Sequence, residues 1–100
     1  MRRIRTAIIG CGKVGDIHAK ALSTLPESEF VAACDAQLSR AQEFAERYGA
    51  QGFDSVAEML SRANVEAVTI CTPHPLHEEP CLQAARAGVH VLIEKPMAST

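Results

Sequence analysis

Three glycines at fixed spacing constrain this chain more than anything else in it: Gly10, Gly12 and Gly15, within the run Gly10-Cys11-Gly12-Lys13-Val14-Gly15. Ahead of them, Arg3 to Ile9 is a short β-favouring run. Behind them, Val14, Ile17, Ala21 and Leu25 recur at helical spacing, with Leu22 beside them. A G-x-G-x-x-G run placed between a strand and a helix has a physical purpose. Gly10 permits a tight bend. Gly12 carries no Cβ, so a diphosphate can come close to the backbone. Gly15 lets the helix lie against the strand. The N–H groups of the first helical turn have no acceptor of their own, and with the helix dipole they favour an anion. The same glycines can also serve packing alone, and a second feature bears on that choice.

That feature is Asp35, at the end of a second apolar run, Glu29 to Cys34. A carboxylate there can accept hydrogen bonds from the ribose hydroxyls of an adenosine half and would repel a 2′-phosphate. The pair therefore points to NAD rather than NADP. Arg40 stands close by in sequence. It either reaches the adenine or a 2′-phosphate from the next helix, or is a solvated first-turn arginine.

The rest of the chain keeps alternating. Leu25-Pro26 ends the first helix. Ser39 followed by Gln42 predicts a capping box opening a helix through Ala41, Phe44, Ala45 and Tyr48, with Gly49 closing it. Gln51 to Phe53 is a minimal third strand. Ser55 and Glu58 predict another capping box, with Val56, Met59 and Leu60 on the apolar face. Ala67 to Cys71 reads as a buried fourth strand. A helix then runs from about Pro80 to Ala87, stopped by Gly88, and His90 to Ile93 is the fifth strand. Strands alternating with helices over short loops imply a doubly wound parallel α/β sheet of the Rossmann type, with helices on both faces and right-handed crossovers. A full dinucleotide fold of this type has about six strands. Residues 1–100 are thus expected to be a dinucleotide-binding domain truncated before a second, substrate-holding α/β domain.

Composition excludes several other functions. The net charge is -2, with 22% charged residues, so no basic surface speaks for nucleic acid. Arg2, Arg3 and Arg5 are expected to be a solvated end before the first strand. No segment approaches the roughly 18 apolar residues of a membrane span, and the early apolar run is too short for a secretory signal. A cytoplasmic location is expected. The cysteines Cys11, Cys34, Cys71 and Cys81 form no C-x-x-C pair, so no metal site is expected and the thiols are read as compact apolar residues.

In a fold of this order the ligand lies over the carboxyl ends of strands 1 and 4. Cys71, Thr72 and Pro73 close strand 4 there, and Thr72 can hydrogen-bond a ribose or phosphate. His77 follows a few residues on, and either it or His74 can equally be a solvated loop histidine. His18 and His90 are read as structural. Glu94-Lys95-Pro96 closes strand 5 on the same side. Lys95 can donate a hydrogen bond to a reacting hydroxyl or carbonyl. On spacing alone, a surface lysine paired with Glu94 is the simpler account.

Four blocks together resemble the Gfo/Idh/MocA oxidoreductases. They are Ile9 to Gly15 with His18, then Cys34-Asp35, then Thr72-Pro73 with His77, and then Ala87-Gly88-Val89-His90-Val91-Leu92-Ile93-Glu94-Lys95-Pro96. The resemblance implies reversible hydride transfer between a nicotinamide and a sugar, polyol or similar secondary alcohol. It implies that Lys95 contacts the substrate hydroxyl as the catalytic lysine. Thr72, Pro73, His77 and Glu94 would line the nicotinamide side, and Gly10, Cys11, Gly12, Lys13, Val14, Gly15, Asp35, Arg40 and Cys71 the rest of the cofactor. It also implies a homo-oligomer assembled through the second domain. Pro80 departs from the family's pattern and bears on where His77 sits. The rival reading is a non-catalytic NAD(P)-binding regulator on the same fold. Lys95 argues for the enzyme, since a regulator has no need of it. A third reading is a domain for another adenine ligand. Alone, these residues are expected to bind NAD(H) without turnover.

Overall fold

The computed structural model describes residues 3–71 and 83–93, with backbone alone for residues 13, 14, 92 and 93. Five parallel strands form one sheet: β1 (Ile4–Ile9), β2 (Ser28–Cys34), β3 (Gln51–Phe53), β4 (Ala67–Ile70) and β5 (His90–Ile93), in the order β3-β2-β1-β4-β5. Three helices connect them, α1 (Lys13–Thr24), α2 (Leu38–Tyr48) and α3 (Val56–Arg62), and residues 83–86 are helical before β5. The order reverses between β1 and β4, and sheets of this kind bind ligands above the carboxyl ends of the strands at that point.

Each face of the sheet has its own core. On one, Ile8, Phe30 and Ala33 pack with Ala19 of α1 and with Ala41 and Phe44 of α2. On the other, Ala7, Ile9, Ala32, Cys34, Val68 and Ile70 pack with Met59 of α3, Ala63 and Ala84. Ile8, Met59, Ile70 and Val68 are the largest side chains wholly removed from water. Both faces being covered accounts for strands that read as unbroken apolar runs. β2 carries one residue more than β1 over the shared ladder. Thr6 faces Phe30 and Ala7 faces Ala32, which leaves Val31 without an opposite number.

Several sequence expectations are corrected. The stripe Ile17, Ala21 and Leu25 faces outward: Ile17 is 68% exposed and Leu25 48%. The inward face of α1 is built from Gly15, Ala19 and half-buried Leu22. Small residues occupy it because α1 lies close to β1, where an added Cβ on Gly15 would run into the Gly10 carbonyl oxygen. The Ser39 capping box is absent. α2 begins two residues earlier than a Ser39 cap implies, at Leu38, with Gln37 as its cap and no side-chain cap bond. The turn is instead set by Asp35, whose Oδ1 accepts the Gln37 N–H at 2.9 Å. β2 starts at Ser28, where Ser28 Oγ and Thr6 Oγ1 share a buried hydrogen bond of 2.8 Å. β1 starts at Ile4 and β4 stops at Ile70, each one residue inside its expected limit.

The other signals hold. Gly49 caps α2 in the left-handed region at φ 69°. Ser55 Oγ accepts the Glu58 N–H at 3.2 Å. Gly88, at φ 74°, ends the helical turn before β5. Arg3 and Arg5 are not an idle solvated end, while Arg2 lies outside the described residues. Arg3 donates to the Ser28 carbonyl at 2.7 Å, and Arg5 donates to the Ala63 and Asn64 carbonyls at the end of α3. A cation there meets the negative end of the helix dipole. Among the described residues, no helix is long and apolar enough to cross a membrane.

Candidate dinucleotide site

The site begins where β1 gives way to α1. Gly10 takes φ 103°, a conformation open to glycine and strained for other residues, and its N–H donates to the Cys34 carbonyl at 2.8 Å. Gly12 is the cap of α1 and supplies no side-chain cap bond, while its carbonyl accepts the Asp16 N–H at 2.9 Å. The first-turn N–H groups of Gly12, Lys13 and Val14 therefore lack an intrahelical acceptor, as at any helix start. A Cβ built on Gly12 meets nothing within 4 Å. Its φ of -95° suits any residue. No contact among the described residues accounts for a glycine there, and the space beside the amides leaves room for a ligand.

Asp35 follows β2 and stands beside this turn, half-buried. Its N–H donates to the Phe53 carbonyl at 3.0 Å, fixing it between β2 and β3. Its Oδ2 accepts the Cys11 N–H at 2.9 Å. Arg40, exposed on the first turn of α2, is near enough for its charge to act on Cys11. The structure thus gathers Gly10, Cys11, Gly12, Gly15, Asp35 and Arg40 along one rim. Lys13 and Val14 open α1 at the same place by their backbone. Cys71, half-buried just past β4, joins from the other side, its N–H donating to the Ile9 carbonyl at 2.7 Å. Thr72, Pro73, His74, His77, Pro80, Cys81, Glu94 and Lys95 lie outside the described residues.

The thiols of Cys11 and Cys34 are packing groups. Burial first, then the neighbouring Asp35 carboxylate, push Cys11 up to about 12 from 9.0. The same causes, with Asp54 added, push Cys34 up to about 11. Both are free and buried, so neither is a thiolate at neutral pH. Among the described residues, no group of three or more His, Cys, Asp or Glu is placed to hold a metal ion.

Sequence reasoning missed two contacts. One is the Asp35 bond to Cys11, which depends on the β1–β2 register and leaves no local signature. The other ties α1 to α2. Asp16 Oδ1 accepts from Tyr48 Oη at 2.6 Å and from Arg47 Nη1 at 2.9 Å. Tyr48 hydrogen bonding leads in holding the Asp16 carboxyl below its ordinary range, and that bond in turn raises Tyr48. An acidic residue in the first turn of a helix meant for an anion is thereby given positive company.

Comparison with known proteins agrees with this geometry. Residues 4–100 match a family model described as an oxidoreductase family with an NAD-binding Rossmann fold. D-glucoside 3-dehydrogenase of Escherichia coli is 44% identical over 99 residues, which are 97% of this chain and 28% of that protein. GenD2 from gentamicin A biosynthesis, solved in complex with NAD, superposes with a TM-score of 0.90 at 31% identity, over 96% of this chain and 28% of the other. Scyllo-inositol dehydrogenase from Lactobacillus casei, solved with NAD(H) and scyllo-inositol, gives a TM-score of 0.87 at 29% identity, over 95% and 28%. The chain therefore spans a little over a quarter of the length of these relatives.

Proposed function

The chain belongs to the Gfo/Idh/MocA oxidoreductase family with its NAD-binding Rossmann fold, and on that premise we propose that it is the nucleotide-holding part of an enzyme moving hydride between a nicotinamide and a secondary alcohol of a sugar or polyol. The observation that carries the binding half of this reading is the space that the described residues leave over Gly12, beside helix-start amides with no intrahelical acceptor and a carboxylate following the neighbouring strand. The relatives' names support the substrate half, since several act on glucosides or inositols.

Each residue has a task in this proposal. Backbone amides of Gly12, Lys13 and Val14 hold the diphosphate, and Gly15 keeps α1 close enough to aim them. Asp35 accepts the adenosine ribose hydroxyls. It favours NAD over NADP by repelling a 2′-phosphate. Arg40 covers the adenine side. Cys71 serves the cofactor from the end of β4, and contact with the nicotinamide half is the task of Thr72, Pro73, His77 and Glu94. When bound, the nicotinamide supplies the hydride acceptor and donor. Lys95 orients the substrate oxygen and shares its proton as hydride departs from carbon. Assembly through a second domain belongs to the same proposal.

Titration of the protein with NADH, NADPH and ADP tests it. NADH should bind tightest, and Gly12→Val should abolish binding while leaving the circular dichroism spectrum intact. Absence of binding of either NADH or NADPH at millimolar concentration overturns the reading.

A further inference from the structure

We propose that Asp35 is a positioning residue for the diphosphate as well as a sugar acceptor: its carboxylate holds the glycine turn in receiving shape before any nucleotide arrives. The inference rests on the nucleotide reading above and extends it to a part of the ligand that Asp35 does not touch. The two carboxylate oxygens bind backbone on two different loops. Oδ2 accepts the Cys11 N–H at 2.9 Å, in the middle of the glycine turn. Oδ1 accepts the Gln37 N–H at 2.9 Å, at the start of α2. Asp35 is itself anchored through its N–H to the Phe53 carbonyl on β3. The β1–α1 turn is thus fastened to the β2–α2 turn by one side chain.

The chemistry favours this over an incidental contact. A carboxylate offers about four lone-pair directions, so two N–H bonds leave room for two ribose hydroxyls. Bonds from N–H groups to an ionised acceptor are roughly twice as strong as neutral ones. The turn needs such a fastening, because Gly10 and Gly12 give it two positions with little conformational preference of their own. Gly10 is held on one side by its bond to the Cys34 carbonyl. Cys11 N–H is the next donor along, and Asp35 is its partner. Order imposed before binding removes a cost otherwise met at the moment of binding.

The test uses a ligand without sugar. Amide hydrogen exchange of the free protein is measured for wild type, Asp35→Ala and Asp35→Asn, and inorganic pyrophosphate and NADH are titrated into each. Cys11 amide exchange should rise about tenfold in Asp35→Ala relative to the Ile8 and Ala33 amides, and pyrophosphate affinity should fall by about tenfold. Asp35→Asn retains one acceptor and should fall between, which keeps the test open if the alanine variant folds poorly. Equal Cys11 exchange in all three proteins overturns the proposal. So does pyrophosphate binding that is equal in wild type and variants, or seen in none. If NADH affinity alone falls, the sugar contact stands and the positioning role is lost. If wild type binds no NADH, the nucleotide reading fails first, and the positioning role goes with it.

Discussion

Gly12 and Gly15 are the same residue type three positions apart, and they are glycine for opposite reasons. At Gly15 the crowding comes from the protein itself, since an added Cβ would meet the Gly10 carbonyl oxygen. At Gly12 the described residues offer no obstacle within 4 Å. Alanine at the two positions should therefore part stability from binding. Gly15→Ala is expected to cost about 3 kcal/mol through forced backbone movement, read as a lower urea midpoint. Gly12→Ala should leave that midpoint within about 0.5 kcal/mol of wild type and still weaken NADH binding in a fluorescence titration. The glycine turn between β1 and α1 and the place of Asp35 after β2 were legible in the sequence, because a glycine cluster between a β-favouring run and a helical period marks such a turn. The bond from Asp35 to the Cys11 N–H was not legible. It arises from which residue of β1 lies opposite the end of β2, and that is a property of two strands together.

At the scale of elements, caps were legible where a side chain closes the first turn of its own helix, and illegible where the closing group comes from outside. Ser55 caps α3 as its sequence announces. Ser39 follows the same pattern but sits inside α2, because Asp35 has already set the turn at Gln37. Ser55→Ala should cost about 1 kcal/mol, whereas Ser39→Ala should stay within about 0.5 kcal/mol, both by chemical denaturation. The spacing of Ile17, Ala21 and Leu25 identified a helix but could not say which side faces the sheet, since the close-packed side is the one built from small residues. The α1–α2 contact gives a further test. Tyr48→Phe removes the leading cause of the lowered Asp16 carboxyl, so its pKa should move up towards 3.8 in an NMR titration. The stability Asp16 contributes is present above its unfolded pKa and is lost as pH falls through the lower folded value, so the variant should show a smaller loss on acidification.

Across the whole molecule, strand order and the two covered faces followed from alternation and short loops, which leave few arrangements open. The split of the core between faces did not. Phe30 packs with α1 and α2, while Ala32, two residues on, packs with the opposite core. One global consequence concerns alkali. Cys11 and Cys34 hold their protons more tightly when folded than the ordinary 9.0, and Tyr48 likewise exceeds its ordinary 10.0. The unfolded chain releases those protons first. Stability from this source is complete below about pH 9 and declines as pH rises towards the folded values, which urea midpoints at about pH 8 and pH 10.5 should show. The unmatched Val31 explains the exchange of faces within β2. Side chains on a strand alternate like odd and even numbers, and a single supernumerary residue swaps the parity of everything after it. Beyond it Ala32, Ala33 and Cys34 keep step with Ala7, Ile8 and Ile9, which brings Asp35 level with Gly10. Deleting Val31 would join Phe30 to Ala32 in an unbroken ladder opposite Thr6 and Ala7, so the carboxylate would keep its phase with the bend and the loss would be the Val31 packing alone.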